Sequence, residues 1–95
     1  MNVEWVPLAK YDLSDLVSYI AEDSIQAATL VSNRILDAAL FLSKSPSAGR
    51  KGRVEGTREW FVRKTPYILV YKIVPSRILI LRVYHAARRW PSRFA

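Results

Sequence analysis

Residues 57–91, TREWFVRKTPYILVYKIVPSRILILRVYHAARRWP, read as three consecutive strands that end in a basic, aromatic tail. In residues 57–63, Arg58, Trp60 and Val62 alternate with Thr57, Glu59, Phe61 and Arg63, the pattern of a strand with one partly wet side. Pro66 opens the second strand, 67–74, whose nearly continuous apolar run predicts a central position covered on both faces. Val74-Pro75-Ser76-Arg77 predicts a tight turn, with the proline where φ must be restrained. The third strand, 78–84, offers Leu79, Leu81 and Val83 as the expected core face. Its other set, Ile78, Ile80, Arg82 and Tyr84, mixes a cation and a phenol with apolar groups, which suits a surface that another chain covers. No Asp or Glu follows Glu59, against eight Lys or Arg residues.

Upstream of this block, Val3 and Trp5 predict a short strand over 2–6, and Pro7 suits the first turn of a helix. Leu13, Leu16, Val17 and Ile20 then recur at i, i+3, i+4 and i+7, predicting an amphipathic helix over 8–21 with Asp12, Ser14, Asp15 and Ser18 on its polar side. Asp23, with Gln26 three residues on, is the expected cap of a second helix. That helix carries a stripe of Ala28, Val31, Ile35, Ala38, Ala39 and Leu42, whose small residues let the first helix approach closely as an antiparallel hairpin. Residues 44–56 hold all three glycines with Lys44, Arg50, Lys51 and Arg53, and form a cationic loop that is either a connector or a flank of a binding face. The fold class is therefore α+β, in the order β-α-α-β-β-β, with the hairpin on one face of a small, mostly antiparallel sheet. Two helices cannot coat both faces of such a sheet, so one face is expected to be open to a partner peptide or a second copy.

The totals bound the function. Ninety-five residues make one domain, 1–95, and 51% apolar content suffices for its core. With no cysteine there is no disulfide framework or thiolate site. The N-terminus, with Glu4 and Asp12, lacks the signal-peptide pattern, and no apolar run approaches the roughly 20 residues of a membrane span, so a cytoplasmic location without a membrane partner is expected. The net charge of +7 divides into −4 over residues 1–43 (six acids, two bases) and +11 over residues 44–95 (thirteen bases, two acids). Such asymmetry points to nucleic acid or an acidic protein.

Little catalytic chemistry is legible. One histidine, His85, and no acid after Glu59 leave a Ser-His-Asp relay without its partners, and scattered carboxylates give no metal-ligand spacing. No cofactor or metal is expected. Metal-independent RNA cleavage would need cations to stabilise the phosphorane and a group to move protons; Arg58, Arg82, His85 and Arg88 are of the right types. Each has a structural alternative: a strand-end histidine bonded to backbone, or arginines in ion pairs or stacked on aromatic rings. Trp90 and Phe94, interleaved with Arg88, Arg89 and Arg93, form either a stacking patch for nucleic acid or a tail folded onto the domain edge.

Gly56-Thr57-Arg58-Glu59, Pro66-Tyr67-Ile68-Leu69-Val70-Tyr71 and Val83-Tyr84-His85-Ala86-Ala87-Arg88-Arg89-Trp90-Pro91, taken with the element order, resemble the RelE/ParE superfamily of toxins from bacterial toxin–antitoxin pairs. The resemblance spans nearly the whole chain. It implies a toxin held in a hetero-oligomer by a cognate antitoxin whose C-terminal segment wraps it. RelE-like members cleave mRNA in the ribosome, whereas ParE-like members poison DNA gyrase. Nuclease members tend to carry Tyr-Arg-Leu-Val-Tyr where this chain has Ile68 in place of the arginine, and their late tyrosine falls near Phe94, which has no hydroxyl. Arg88 matches a basic position they share, and some branches use a C-terminal histidine, which His85 supplies. The His85-x-x-Arg88 ending with Trp90-Pro91 is closer to the ParE branch. The resemblance thus implies a gyrase-directed toxin with Arg58, Arg82, His85, Arg88 and Trp90 as target-binding residues and Tyr67, Ile80 and Tyr84 as antitoxin contacts. The alternative is a ribosome-dependent endonuclease using His85 with Arg58, Arg82 and Arg88.

Overall fold

The architecture, given by a computed structural model that describes residues 1–91, follows the expected order with one added strand. Strand β1 (Asn2–Trp5) leads through Pro7, at the start of the helix, into α1 (Pro7–Ala21). Helix α2 (Ile25–Lys44) returns antiparallel to it. A 3₁₀ turn (Pro46–Ala48) precedes β2 (Arg50–Lys51), β3 (Arg58–Phe61), β4 (Tyr67–Val74) and β5 (Arg77–His85). The sheet order is β1-β5-β4-β3-β2, with β1 parallel to β5 and every other pair antiparallel. The parallel pair is possible because the hairpin supplies the long crossover that a two-residue turn cannot. Strand β2 is the addition: its two residues pair with Glu59 and Arg58, so the loop expected over 44–56 is partly sheet.

The α2 stripe forms as expected, with Ala28, Ile35, Ala38, Ala39 and Leu42 buried. Its cap differs: Ser24, not Asp23, accepts the Ala27 N–H at 3.0 Å, because Ser24 is the residue in the extended conformation that capping needs. By length and a mean hydropathy of 1.2 this helix could span a bilayer, yet its stripe packs into the protein core. In α1 the apolar stripe also holds, but Asp12 leaves the polar side. It lies between Ala9 and Leu16 on the buried face, and Val83 and Arg82 of β5 hold it there.

The faces of β5 correct the strict alternation. Val70 pairs with Arg82 and Tyr71 with Ile80, so Leu81 is an extra residue, a β-bulge. A bulge reverses the inside–outside phase. Before it, Ile78 and Ile80 enter the core under the helices with Leu69, Tyr71, Ile35 and Leu42, and Leu79 faces the other way. After it, Val83 enters that core and Tyr84 faces away. The expected core set of Leu79, Leu81 and Val83 is therefore right only at Val83. Strand β4 is central and buried on both faces from Ile68 to Tyr71, as its composition requires.

The face turned from the helices is less open than expected. Ile68, Val70 and Tyr84, on that side by their register, are each at most 1% exposed. Part of this cover comes from the chain itself: Trp90 packs on Tyr84, and Arg53 lies over Trp90. Opposite, on the helix side, the Tyr71 hydroxyl donates to Pro46 O at 2.6 Å and accepts from the Gly49 N–H at 3.0 Å, which pins the 3₁₀ turn to the sheet. Gly49 is required for that approach, since a Cβ there would lie 2.5 Å from the Tyr71 oxygen.

Candidate functional site

The face turned from the helices carries a cluster of cations on aromatic rings. The Trp90 ring meets Tyr84 edge-on at 4.9 Å, and the Arg53 guanidinium lies 3.8 Å from the Trp90 ring centre. Arg82 and Arg88 each approach the Tyr84 ring to 4.7 Å. A ring face is electronegative, so it tolerates guanidinium groups close together and fixes their planes. Arg53, distant in sequence, thus shares one surface with Arg82 and Arg88.

Two buried acids hold this surface from below. Asp12 grips Arg82 through both oxygens, at 2.8 and 2.9 Å, and accepts the Val83 N–H at 2.9 Å. Strand β1 stops at Trp5, and the last backbone bond on this side runs from Val6 N–H to Ile80 O, so the Asp12 carboxylate supplies the acceptor where the neighbouring strand has ended. The hydrogen bond to Asp12 raises the Arg82 pKa above its already high value, with burial working in the opposite direction, so the guanidinium stays charged. Glu59, 2% exposed, accepts from the Arg50 guanidinium at 3.0 Å and from the Arg53 N–H at 2.8 Å, which sets the start of the loop whose Arg53 side chain caps Trp90. A carboxylate that accepts several charge-assisted bonds is the arrangement in which a buried acid is tolerated.

Of the expected target-binding residues, Arg82, Arg88 and Trp90 come together here, and Tyr84 joins them. The others do not. Arg58 donates to Gly49 O at 2.7 Å and to Ser47 O at 3.2 Å, so it ties down the segment before β2. His85 is on the helix side, edge-on to Tyr67 at 5.5 Å, and its Nδ1 accepts the Ala87 N–H at 3.1 Å, the backbone-bonded alternative for this histidine. Tyr67 packs against the core from the same side, and burial, then the Tyr19 phenol, raises its pKa. Ile80, expected to contact an antitoxin, is 0% exposed under the helices; the bulge at Leu81 is the reason for this correction. Tyr84 is 1% exposed beneath Trp90, so an antitoxin would meet its covering residues before its ring. Phe94 and Arg93 lie outside the described residues.

Sequence reasoning missed Asp12, Arg53 and Glu59 as parts of this site. A signal for Asp12 existed: it is an acid three residues after Ala9 and four before Leu16, on their helical face. Glu59 is the last acid in the sequence, ahead of eight Lys or Arg residues. Arg53 had no such mark.

A family model described as the ParE toxin of the type II toxin–antitoxin system parDE matches residues 3–90 of this chain. The chain is 37% identical over 91 residues to a putative toxin, Y4kP, of Sinorhizobium fredii, covering 96% of this chain and 94% of that one. It is 33% identical over 87 residues to toxin RelE2 of Caulobacter vibrioides, covering 92% and 97%. The fold superposes with a TM-score of 0.79 on a chain from a solved structure of the chromosomal ParDE TA system from P. aeruginosa, at 23% identity over 90% of this chain and 95% of the other.

Proposed function

The chain belongs to the ParE toxin family of type II toxin–antitoxin systems, within the RelE/ParE superfamily and with an antitoxin as its partner; from that premise we propose that it arrests growth in the cytoplasm by binding DNA gyrase. The cluster of Arg53, Arg82 and Arg88 on Tyr84 and Trp90 is the target-binding surface in this reading. One observation carries it: the cluster is built to hold charge in place, since the acids that touch it, Asp12 and Glu59, lie buried beneath it and neutralise without competing at the surface. A rigid cationic patch with aromatic anchors is the composition of an interface hot spot.

A binding role is also supported by what stands at the nuclease positions. Ile68, where nuclease members tend to place an arginine, is 1% exposed and pairs with Tyr84. A buried aliphatic group cannot stabilise a phosphorane. The endonuclease remains the second reading because His85 is exposed beside Tyr67 and because one relative carries the name RelE2.

A supercoiling assay with purified gyrase separates the two. The proposal expects inhibition with accumulation of cleaved DNA, and Arg53→Glu with Arg88→Glu should weaken inhibition by about tenfold or more, as loss of interface anchors does. Normal supercoiling at high toxin excess, with mRNA cut in a translating extract, would replace it with the endonuclease. In that case His85→Ala should lower the cleavage rate by about 10²–10⁴-fold, the usual worth of a general acid–base group.

A further inference from the structure

Away from the arginine cluster, on the helix side of the sheet, α2 and the β3–β4 connection enclose a cleft of about 570 Å³. Its apolar lining includes Phe41 and Trp60, whose rings are 5.1 Å apart and tilted by 30°. Phe41 is 44% exposed, so its ring is open to a partner. Arg34, Arg63 and Lys64 carry three positive charges around these rings against one negative charge on Asp37. The cleft is preformed: Arg34 donates to Lys64 O at 3.2 Å, bracing a turn in which Lys64 has the left-handed φ of 60°.

Among the described residues, the adjoining sheet edge has no strand over it beyond Glu59. Strand β2 pairs only with Arg58 and Glu59, which leaves the rest of β3 without an outer neighbour. Val62 N–H turns inward to Tyr67 O at 2.9 Å, so by alternation the N–H and C=O of Phe61 turn outward. The Phe61 side chain is itself 52% exposed. An apolar floor, a positive rim and free strand bonds lie within one short stretch.

We infer that this cleft and the β3 edge are the docking surface for an acidic, apolar peptide segment of the antitoxin. Large apolar side chains of the segment cover Phe41 and Trp60. Its carboxylates meet Arg34, Arg63 and Lys64, and its backbone bonds to Phe61. The charge of the rim selects this occupant over a second copy of the chain, which carries +7 and would set the same cations against each other in a symmetric contact. The inference rests on the antitoxin reading and deepens it by giving the interface a place and a chemistry.

The test uses the full chain and a short synthetic peptide alternating Glu with Leu and Phe, with binding mapped by amide and indole chemical shifts. The expected result is perturbation of the Trp60 indole and the Phe61 amide while Trp90 and Tyr84 stay unchanged. Phe41→Ala and Arg63→Glu, both at exposed positions, should each weaken binding by about tenfold or more, and Lys72→Glu should not. A peptide with Lys in place of Glu should fail to bind the wild type, a control that needs no variant. Equal affinity of the variants, equal binding of the Lys peptide, shifts centred on Trp90, or self-association through the cleft would each overturn the inference. Growth arrest on induction is read separately. Arrest without peptide binding at the cleft removes the docking surface alone, whereas cleft binding without arrest removes the toxin reading and leaves the surface standing.

Discussion

Asp12 does two jobs with one carboxylate: it ends the exposed edge of β5 and it aims Arg82. Both depend on the bulge, because the extra Leu81 changes which N–H of β5 points toward α1. Asp12→Ala would leave a buried N–H and a mostly buried guanidinium without their acceptor, at a cost of about 2–4 kcal/mol in urea unfolding. Asp12→Asn keeps an oxygen for Val83 and should cost about half as much, since only the charged pairing is lost. A double-mutant cycle with Arg82→Met reads the pair itself; a coupling near zero would show that Asp12 serves the strand edge alone.

Tyr71 ties the 3₁₀ turn and β2 to the sheet, and the tie has a pH signature. Burial raises the phenol above its ordinary 10.0, while the Gly49 N–H and the Arg58 charge act in the lowering direction. An unfolded tyrosine ionises near pH 10, but this one keeps its proton to higher pH when folded, so the folded state binds more protons in that window. Stability is therefore complete below pH 10 and falls as pH rises through the folded value, with Tyr67 acting in the same direction. Tyr71→Phe should cost about 2 kcal/mol near neutrality, one for each lost hydrogen bond, and should flatten the alkaline decline. Alkaline urea titrations of both proteins check it; an unchanged slope would assign the decline to other groups. At this scale much was legible in advance, because hydrophobic spacing places α1, α2 and the strands through local rules. What escaped was non-local. Strand β2 is two residues long and exists only through Arg58 and Glu59, and the bulge at Leu81 resolves a conflict between Ile80 and Val83 that alternation alone cannot express. The candidate site divides in the same way: Arg82, Arg88 and Trp90 lie within one short, conspicuous stretch, whereas Arg53 reaches Trp90 only after folding.

For the molecule as a whole, the positions of the two surfaces decide how neutralisation and toxicity relate. The arginine cluster lies on the sheet face turned from the helices, and the Phe41–Trp60 cleft lies on the helix side beside β3. If the antitoxin holds the cleft and the target is gripped by the cluster, the two activities are separable by mutation. Phe41→Ala with Arg63→Glu should preserve growth arrest and lose most of its rescue by a co-expressed antitoxin. Arg53→Glu with Arg88→Glu should do the reverse, abolishing arrest while the antitoxin still co-purifies. Binding should also respond differently to salt. A cleft that uses both burial and ion pairs should weaken only partly between low and high salt, since exposed charges are screened within a Debye length of about 8–10 Å while apolar contacts are not. Plating assays with the two double variants, read beside co-purification, give the decisive comparison. If the cleft variant loses arrest together with rescue, one surface serves both partners, and the antitoxin then acts by covering the target site directly.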